Sequence, residues 1–192
     1  MPNVAVASLR HRRLRKGVFI GMAHDSSCFE CINVHCWVIC DDGQHILLQR
    51  RARMEPSFPN MLDISFAGHV DEGENHRHAI IREAKEEGGL NIEPYLSAKP
   101  RKIYFSEKGN FTNQYYIHNQ QAYIYYVVLS KNLIKQIKAD NHEVGGFELV
   151  TITDFISMTK HTSRVLVKHP KSYYNLIIKD ILNIVSAIQE TA

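Results

Sequence analysis

The chain has 192 residues, with 23 Lys+Arg against 20 Asp+Glu and a formal net charge of +3. Its 44% hydrophobic and 22% charged residues are those of a folded globule and exclude a disordered chain. No apolar run approaches the roughly 18 residues of a membrane span, and the balanced charge argues against nucleic acid as a partner. The acids are unevenly placed. Six of them (Asp71, Glu72, Glu74, Glu83, Glu86 and Glu87) fall between Gly68 and Leu90, whereas the first 24 residues hold no acid and carry Arg10, Arg12, Arg13, Arg15 and Lys16.

Residues 1–30 read as a basic N-terminal tail or an added hairpin, and residues 31–192 as one domain with its own core. The start lacks the apolar stretch of a secretory signal, so a cytoplasmic protein is expected. An Arg-rich, acid-free beginning also suits an organelle transit peptide. Cys28, Cys31, Cys36 and Cys40 lie close together and, with His24 and His35, suggest zinc. Against this, Val34–Cys40 reads as a strand, which would hold Cys36 and Cys40 about 13 Å apart at about 3.3 Å per residue. Small buried thiols are the simpler expectation.

After the Val34–Cys40 strand, Asp41, Asp42 and Gly43 mark a turn and His45–Gln49 a second strand, so a hairpin is expected. Arg50–Met61, with Pro56 and Pro59, reads as a loop, and Ile64–Phe66 as a short apolar piece. Asn75 offers an N-cap for a helix over His76–Gly88, and Gly89 a left-handed stop. Strands follow near Lys102–Phe105, over Gln114–Leu129 and over Phe147–Thr151, with turns suggested at Asn110 and Asn119. Tyr115, Tyr116, Tyr123, Tyr125 and Tyr126 could stack on a ring, but their alternation suits sheet positions. A short helix is expected over Asp154–Lys160. An amphipathic helix should begin near Ser172, after Pro170, for packing or for a partner. The order of elements predicts a mixed sheet with helices packed on it.

On the His76–Gly88 helix, Glu83, Glu86 and Glu87 fall within about 100° of arc. Like charges so placed repel, which a bound hard cation such as Mg²⁺ or Mn²⁺ would relieve. Arg82 faces Glu86 at i+4 and could orient it. From spacing alone, a solvated, salt-bridged surface helix explains the same acids.

The complete pattern changes the weighting. Gly68, Glu74, Arg82, Glu83, Ala84, Glu86, Glu87, Gly89 and Leu90 satisfy G-x5-E-x7-R-E-U-x-E-E-x-G-U at every specified position, U being aliphatic. A chance match is on the order of one in a million. The segment resembles the Nudix box of the Nudix hydrolase superfamily. That resemblance implies an α/β (α+β) fold, an αβα sandwich around a central mixed sheet. It further implies metal binding by Glu83, Glu86 and Glu87 with the Gly68 carbonyl, bracing by Glu74 and Arg82, and Mg²⁺ or Mn²⁺ as cofactor. The implied activity is hydrolysis of a small-molecule diphosphate, a nucleoside diphosphate linked to another group. Dimers are frequent in the superfamily, so a homodimer is implied too.

Glu86 is the expected base, and Glu143, in the loop before the Phe147 strand, the second candidate. Arg50, Arg51 and Arg53 follow a strand and are the candidate phosphate grips, Arg50 and Arg51 foremost, because guanidinium binds phosphate bidentately. Outside the box, Val34–Val38, Leu47–Ala52 and Leu62–Val70 resemble the branch related to isopentenyl-diphosphate isomerase. Those isomerases place a catalytic Cys just before the Gly-His pair, where this chain has Ala67. Hydrolysis is therefore expected over isomerisation. A Nudix-like module that binds nucleotide or RNA without turnover is the other alternative. The markers of the coenzyme A, NADH, dinucleoside polyphosphate and ADP-ribose subfamilies are absent, which leaves the substrate open.

Overall fold

A computed structural model describes residues 3–8, 14–19, 29–55, 57–97, 99–111, 114–139, 142–160 and 164–191. Its centre is β3 (Phe29–Cys40). One edge of β3 runs parallel to β8 (Gln114–Leu129), from Glu30↔Asn119 to Cys40↔Leu129. The other edge takes three antiparallel partners in succession. These are β1 (Asn3–Ser8) at Glu30 and Cys31, β6 (Phe66–His69) at Asn33–Cys36, and β4 (His45–Arg51) at Val38 and Ile39. β2 (Leu14–Phe19) pairs with β1, and β7 (Arg101–Phe111) with β8. β5 (Leu62–Asp63) and β9 (Val144–Thr151) pair with β4. The sheet is therefore mixed.

β3 is buried from Cys31 to Cys40 because both its faces are covered. Ile32, Val34, Cys36, Val38 and Cys40 enter one core layer, and Trp37 and Ile39 the other. The first layer packs under α1 (His76–Gly88) through Ala79, Ile80 and Ala84. The second packs under α4 (Lys171–Glu190) through Tyr173, Tyr174, Ile177, Ile181 and Val185. The result is the αβα sandwich. The half-exposed Arg101 makes two bonds to buried Asp180 (2.6 and 2.8 Å), which also accepts from Tyr126 Oη (2.9 Å), and so fastens α4 to the sheet. No helix among the described residues is long and apolar enough to cross a membrane.

α1 has the bounds read from its sequence. Asn75 accepts from the N–H groups of Arg77 and His78, and Gly89 (φ 67°) closes the helix. Elsewhere the structure differs. β3 begins at Phe29 rather than Val34, because its first residues find partners in β1 and β8. Asn119 lies inside β8, paired with Ser106, and marks no turn; β7 runs through Asn110 to Phe111 before the hairpin. The helix expected over Asp154–Lys160 is α3 (Ile152–Met158), started earlier by Thr151, whose hydroxyl accepts from Asp154 N. A one-turn helix, α2 (Lys131–Ile134), follows β8. Cys36 and Cys40 share one layer while Cys31 alternates to the other face, and all three are buried free thiols; Cys28 lies outside the described residues.

Of the piece read as Ile64–Phe66, Ile64 and Ser65 are the break between β5 and β6, and Phe66 begins β6. Here β3 changes partner from β6 to β4. Ser65, fully buried, fills the gap: its Oγ accepts from Val38 N (2.9 Å) and donates to Leu47 O (2.5 Å). Replacing it by Ala should orphan both backbone groups and lower unfolding free energy by about 2–4 kcal/mol in denaturant titration.

Beneath this split lies buried His35, whose Nδ1 is 2.9 Å from Tyr173 Oη. Burial is the main cause that pushes its pKa down to about 3; neighbouring His169 and His69 add to this, and Asp63 opposes it. The unfolded chain therefore takes up a proton that the folded one refuses. Stability should be full above about pH 6.5 and fall by up to about 4 kcal/mol on acidification toward pH 3. Urea unfolding at pH 7 and pH 4.5 should show a smaller loss in His35→Gln than in the parent; equal losses would contradict this.

Candidate active site

The site forms where α1 crosses β6. Glu83 and Glu87, one turn apart, both face the strand and are only 8% and 5% exposed. Glu87 accepts from Ala67 N (3.1 Å). Glu83 lies over Gly68, where a Cβ would meet its Oε1 at 2.0 Å. Only glycine leaves room for that carboxylate. Gly88 likewise permits close approach at the end of the helix, since a Cβ there would stand 2.6 Å from the Phe66 ring. The two glycines let a helix bearing two inward carboxylates lie against the strand.

Burial without full compensation raises both acids. Glu83 is pushed up to about 7, first by burial, against the opposing pull of Arg82, with Glu86 and Glu143 adding repulsion. Glu87 is raised well above the usual carboxylate range by burial, then by Glu83, Glu143 and Asp63, with the Ala67 N–H opposing. An acid so buried signals a partner of positive charge or a functional role. Glu86 is exposed at the rim.

Arg82 organises the surroundings. Its Nε and Nη2 hold Glu74 (3.1 and 3.0 Å), and Nη2 also donates to His69 O (3.0 Å). Nη1 donates to Glu83 (2.9 Å) and Glu86 (3.1 Å). Burial alone would raise Glu74, but Arg82 and the Asp71 N–H (3.1 Å) outweigh it and hold its carboxyl low. Glu74 thereby ties the loop after β6 to the helix. Among the described residues, no three His, Cys, Asp or Glu side chains converge on one point; Arg82 Nη1 stands between Glu83 and Glu86. The donor set is nonetheless all hard oxygen: three carboxylates beside a glycine carbonyl. It suits Mg²⁺ or Mn²⁺ rather than zinc or copper, and Glu86 is exposed enough to turn.

Glu143 is close enough for its charge to raise Glu83 and Glu87, and its backbone carbonyl accepts from Ala52 N (2.9 Å). The ion pairs of Arg50 and Arg51 go elsewhere: Arg50 to Glu148, and Arg51 to Glu55 (2.8 Å) and Asp63 (3.4 Å). Two further polar residues, Asp63 and Ser65, lie in the stretch before Phe66. Asp63 is buried, and while burial would raise it, His169 (3.3 Å) and Arg51 hold it low. The i,i+4 spacing of Arg51 and Glu55 was a readable signal; the partners of Asp63 and Ser65 are distant in sequence and gave none.

The Nudix domain model matches residues 31–169. Over 62 residues the chain is 39% identical to an uncharacterized Nudix hydrolase of Clostridium acetobutylicum, covering 31% of this chain and 30% of that protein. Over 69 residues it is 33% identical to an isopentenyl-diphosphate Delta-isomerase of Salmonella heidelberg, covering 36% of this chain and 38% of that one. The chain thus spans about a third of the length of these curated relatives. The crystal structure of DR0079 from Deinococcus radiodurans superposes with a TM-score of 0.63 at 19% identity, covering 97% of this chain and 98% of that one, a likeness of fold. With the family match covering most of the chain, and the box at the crossing of α1 and β6, the chain belongs to the Nudix family.

Proposed function

We propose that the chain is a divalent-cation-dependent hydrolase of a phosphoric anhydride bond. Its substrate is a nucleoside diphosphate linked to another moiety, or a related organic diphosphate. One observation carries the reading: two carboxylates are buried against β6, Glu83 over Gly68 and Glu87 on the Ala67 N–H, with a third, Glu86, at their rim. Ionising Glu83 and Glu87 in that buried place is costly, and a hard cation would offset the cost.

Glu83, Glu86, Glu87 and the Gly68 carbonyl would hold Mg²⁺ or Mn²⁺. When bound, the ion neutralises charge on phosphate oxygens and acidifies a water. The remaining roles belong to the chain. Glu87 is oriented by Ala67 N–H, and Glu83 by the wall that Gly68 leaves open. Arg82 keeps Glu74 and the His69 carbonyl while it gives up Glu86. Glu86, exposed and released, accepts the proton of the attacking water. Glu143 is the second candidate for that role, since it approaches Glu83 and Glu87 from the β9 side. Arg50 and Arg51 would bind the substrate's phosphates after exchanging their present partners. Isomerisation is disfavoured because Ala67 has no group that could donate or accept a proton.

Glu86→Gln should keep the fold, judged by circular dichroism and melting temperature. Steady-state turnover of a cleaved diphosphate in Mg²⁺ or Mn²⁺ should drop roughly 10²–10⁴-fold. Near-parental turnover in a folded variant would overturn the assignment.

A further inference from the structure

Two non-glycine residues among those described have a positive φ: Phe58 at 51° and Asn60 at 61°. Asparagine tolerates this region, but a bulky residue such as Phe is strained in it. Phe58 gains little by way of compensation, since it is 38% exposed. Strain of this kind persists only where neighbouring groups hold it.

Here the holders are the two arginines. Arg51 Nε donates to the Ser57 carbonyl (2.8 Å), immediately before Phe58, and Arg51 Nη2 to the Ser57 hydroxyl (3.2 Å). Arg50 Nη1 donates to the carbonyl of Asn60 itself (2.6 Å). The carbonyls bracketing the strained residues are therefore the groups the guanidiniums grip. Each arginine is steadied from behind by acids, Arg50 by Glu148 and Arg51 by Glu55 and Asp63. The segment also closes on itself through Met61 N to Phe58 O (3.3 Å) and on β4 through Arg51 N to Met61 O (2.9 Å).

Phosphate oxygens are stronger acceptors for guanidinium than peptide carbonyls, because the bond is charge-assisted on both sides. We propose that residues 57–61 form a strained latch that a diphosphate releases. Its oxygens take the guanidinium N–H groups from Ser57 O and Asn60 O, and the backbone at Phe58 and Asn60 then leaves the left-handed region. The strain stored in the latched chain offsets part of the cost of opening and so strengthens diphosphate binding. This rests on the reading of Arg50 and Arg51 as phosphate ligands.

The test uses the full chain in Mg²⁺ with methylene diphosphonate, whose P–C–P link no anhydride hydrolase cleaves. Calorimetry would then report on the latch even in a chain that proved catalytically inert. Relieving the strain should favour the latched form. Phe58→Gly should weaken binding about 5- to 30-fold. Phe58→Asn, without glycine's freedom, should weaken it in the same direction. Adding strain should do the reverse, so Asn60→Ala should tighten binding, and hydrogen exchange at the Met61 amide should quicken when the probe is added. Failure of the probe to bind would overturn the proposal. So would binding that changes in the same direction at both positions, or that leaves exchange at Met61 as it was.

Discussion

Everything around the site depends on two carboxylates being buried against a strand that has no side chain to exclude them. Glu83 and Glu87 can face inward only because Gly68 offers its backbone and Gly88 lets the last helical turn settle on Phe66. That contact fixes the height of α1 above the sheet. It also fixes which helical face is apolar, since Ala79, Ile80 and Ala84 must meet the same layer. β6 must then stay beside Asn33–Cys36 while β4 takes over at Val38, and Ser65 is what closes that split. The energetic cost of burying negative charge is thus built into the architecture rather than added at its surface.

Charge around the box is arranged in two tiers. Arg82 is the inner cation: burial works against its charge, yet Glu74 and Glu83 stabilise it strongly. Arg50 and Arg51 form the outer tier and are held on acids and carbonyls at the end of β4. The acidity that the composition places between Gly68 and Leu90 is therefore partly neutralised from within by Arg82, which holds Glu74, Glu83 and Glu86, while burial favours the neutral forms of Glu83 and Glu87.

Local signals carried far in the sequence. α1 was legible because its cap, its stop and its box are contiguous, and α4 because its apolar spacing is regular. The sandwich followed from the box and the order of elements. What the sequence hid depends on distant partners. Phe29–Ile32 extend β3 only because β1 and β8 arrive beside them. Ser65 looks like an ordinary polar residue until Val38 and Leu47 flank it. Asp63 acquires its role from His169, more than a hundred positions away. Arg50 and Arg51 read as phosphate grips, and their engagement with Glu148, Ser57 and Asn60 appears only when the loop is folded.

Attack of water on phosphorus is the reaction proposed for this acidic crossing. It is tested most directly by incubating the chain with a panel of nucleotide sugars, dinucleotides, thiamine diphosphate and prenyl diphosphates in ¹⁸O-labelled water, with Mg²⁺ or Mn²⁺. Products would be read by mass spectrometry. The expected result is a phosphate-containing product that carries the label and disappears when the cation is chelated. Tight ligand binding with no labelled product across the panel would contradict it.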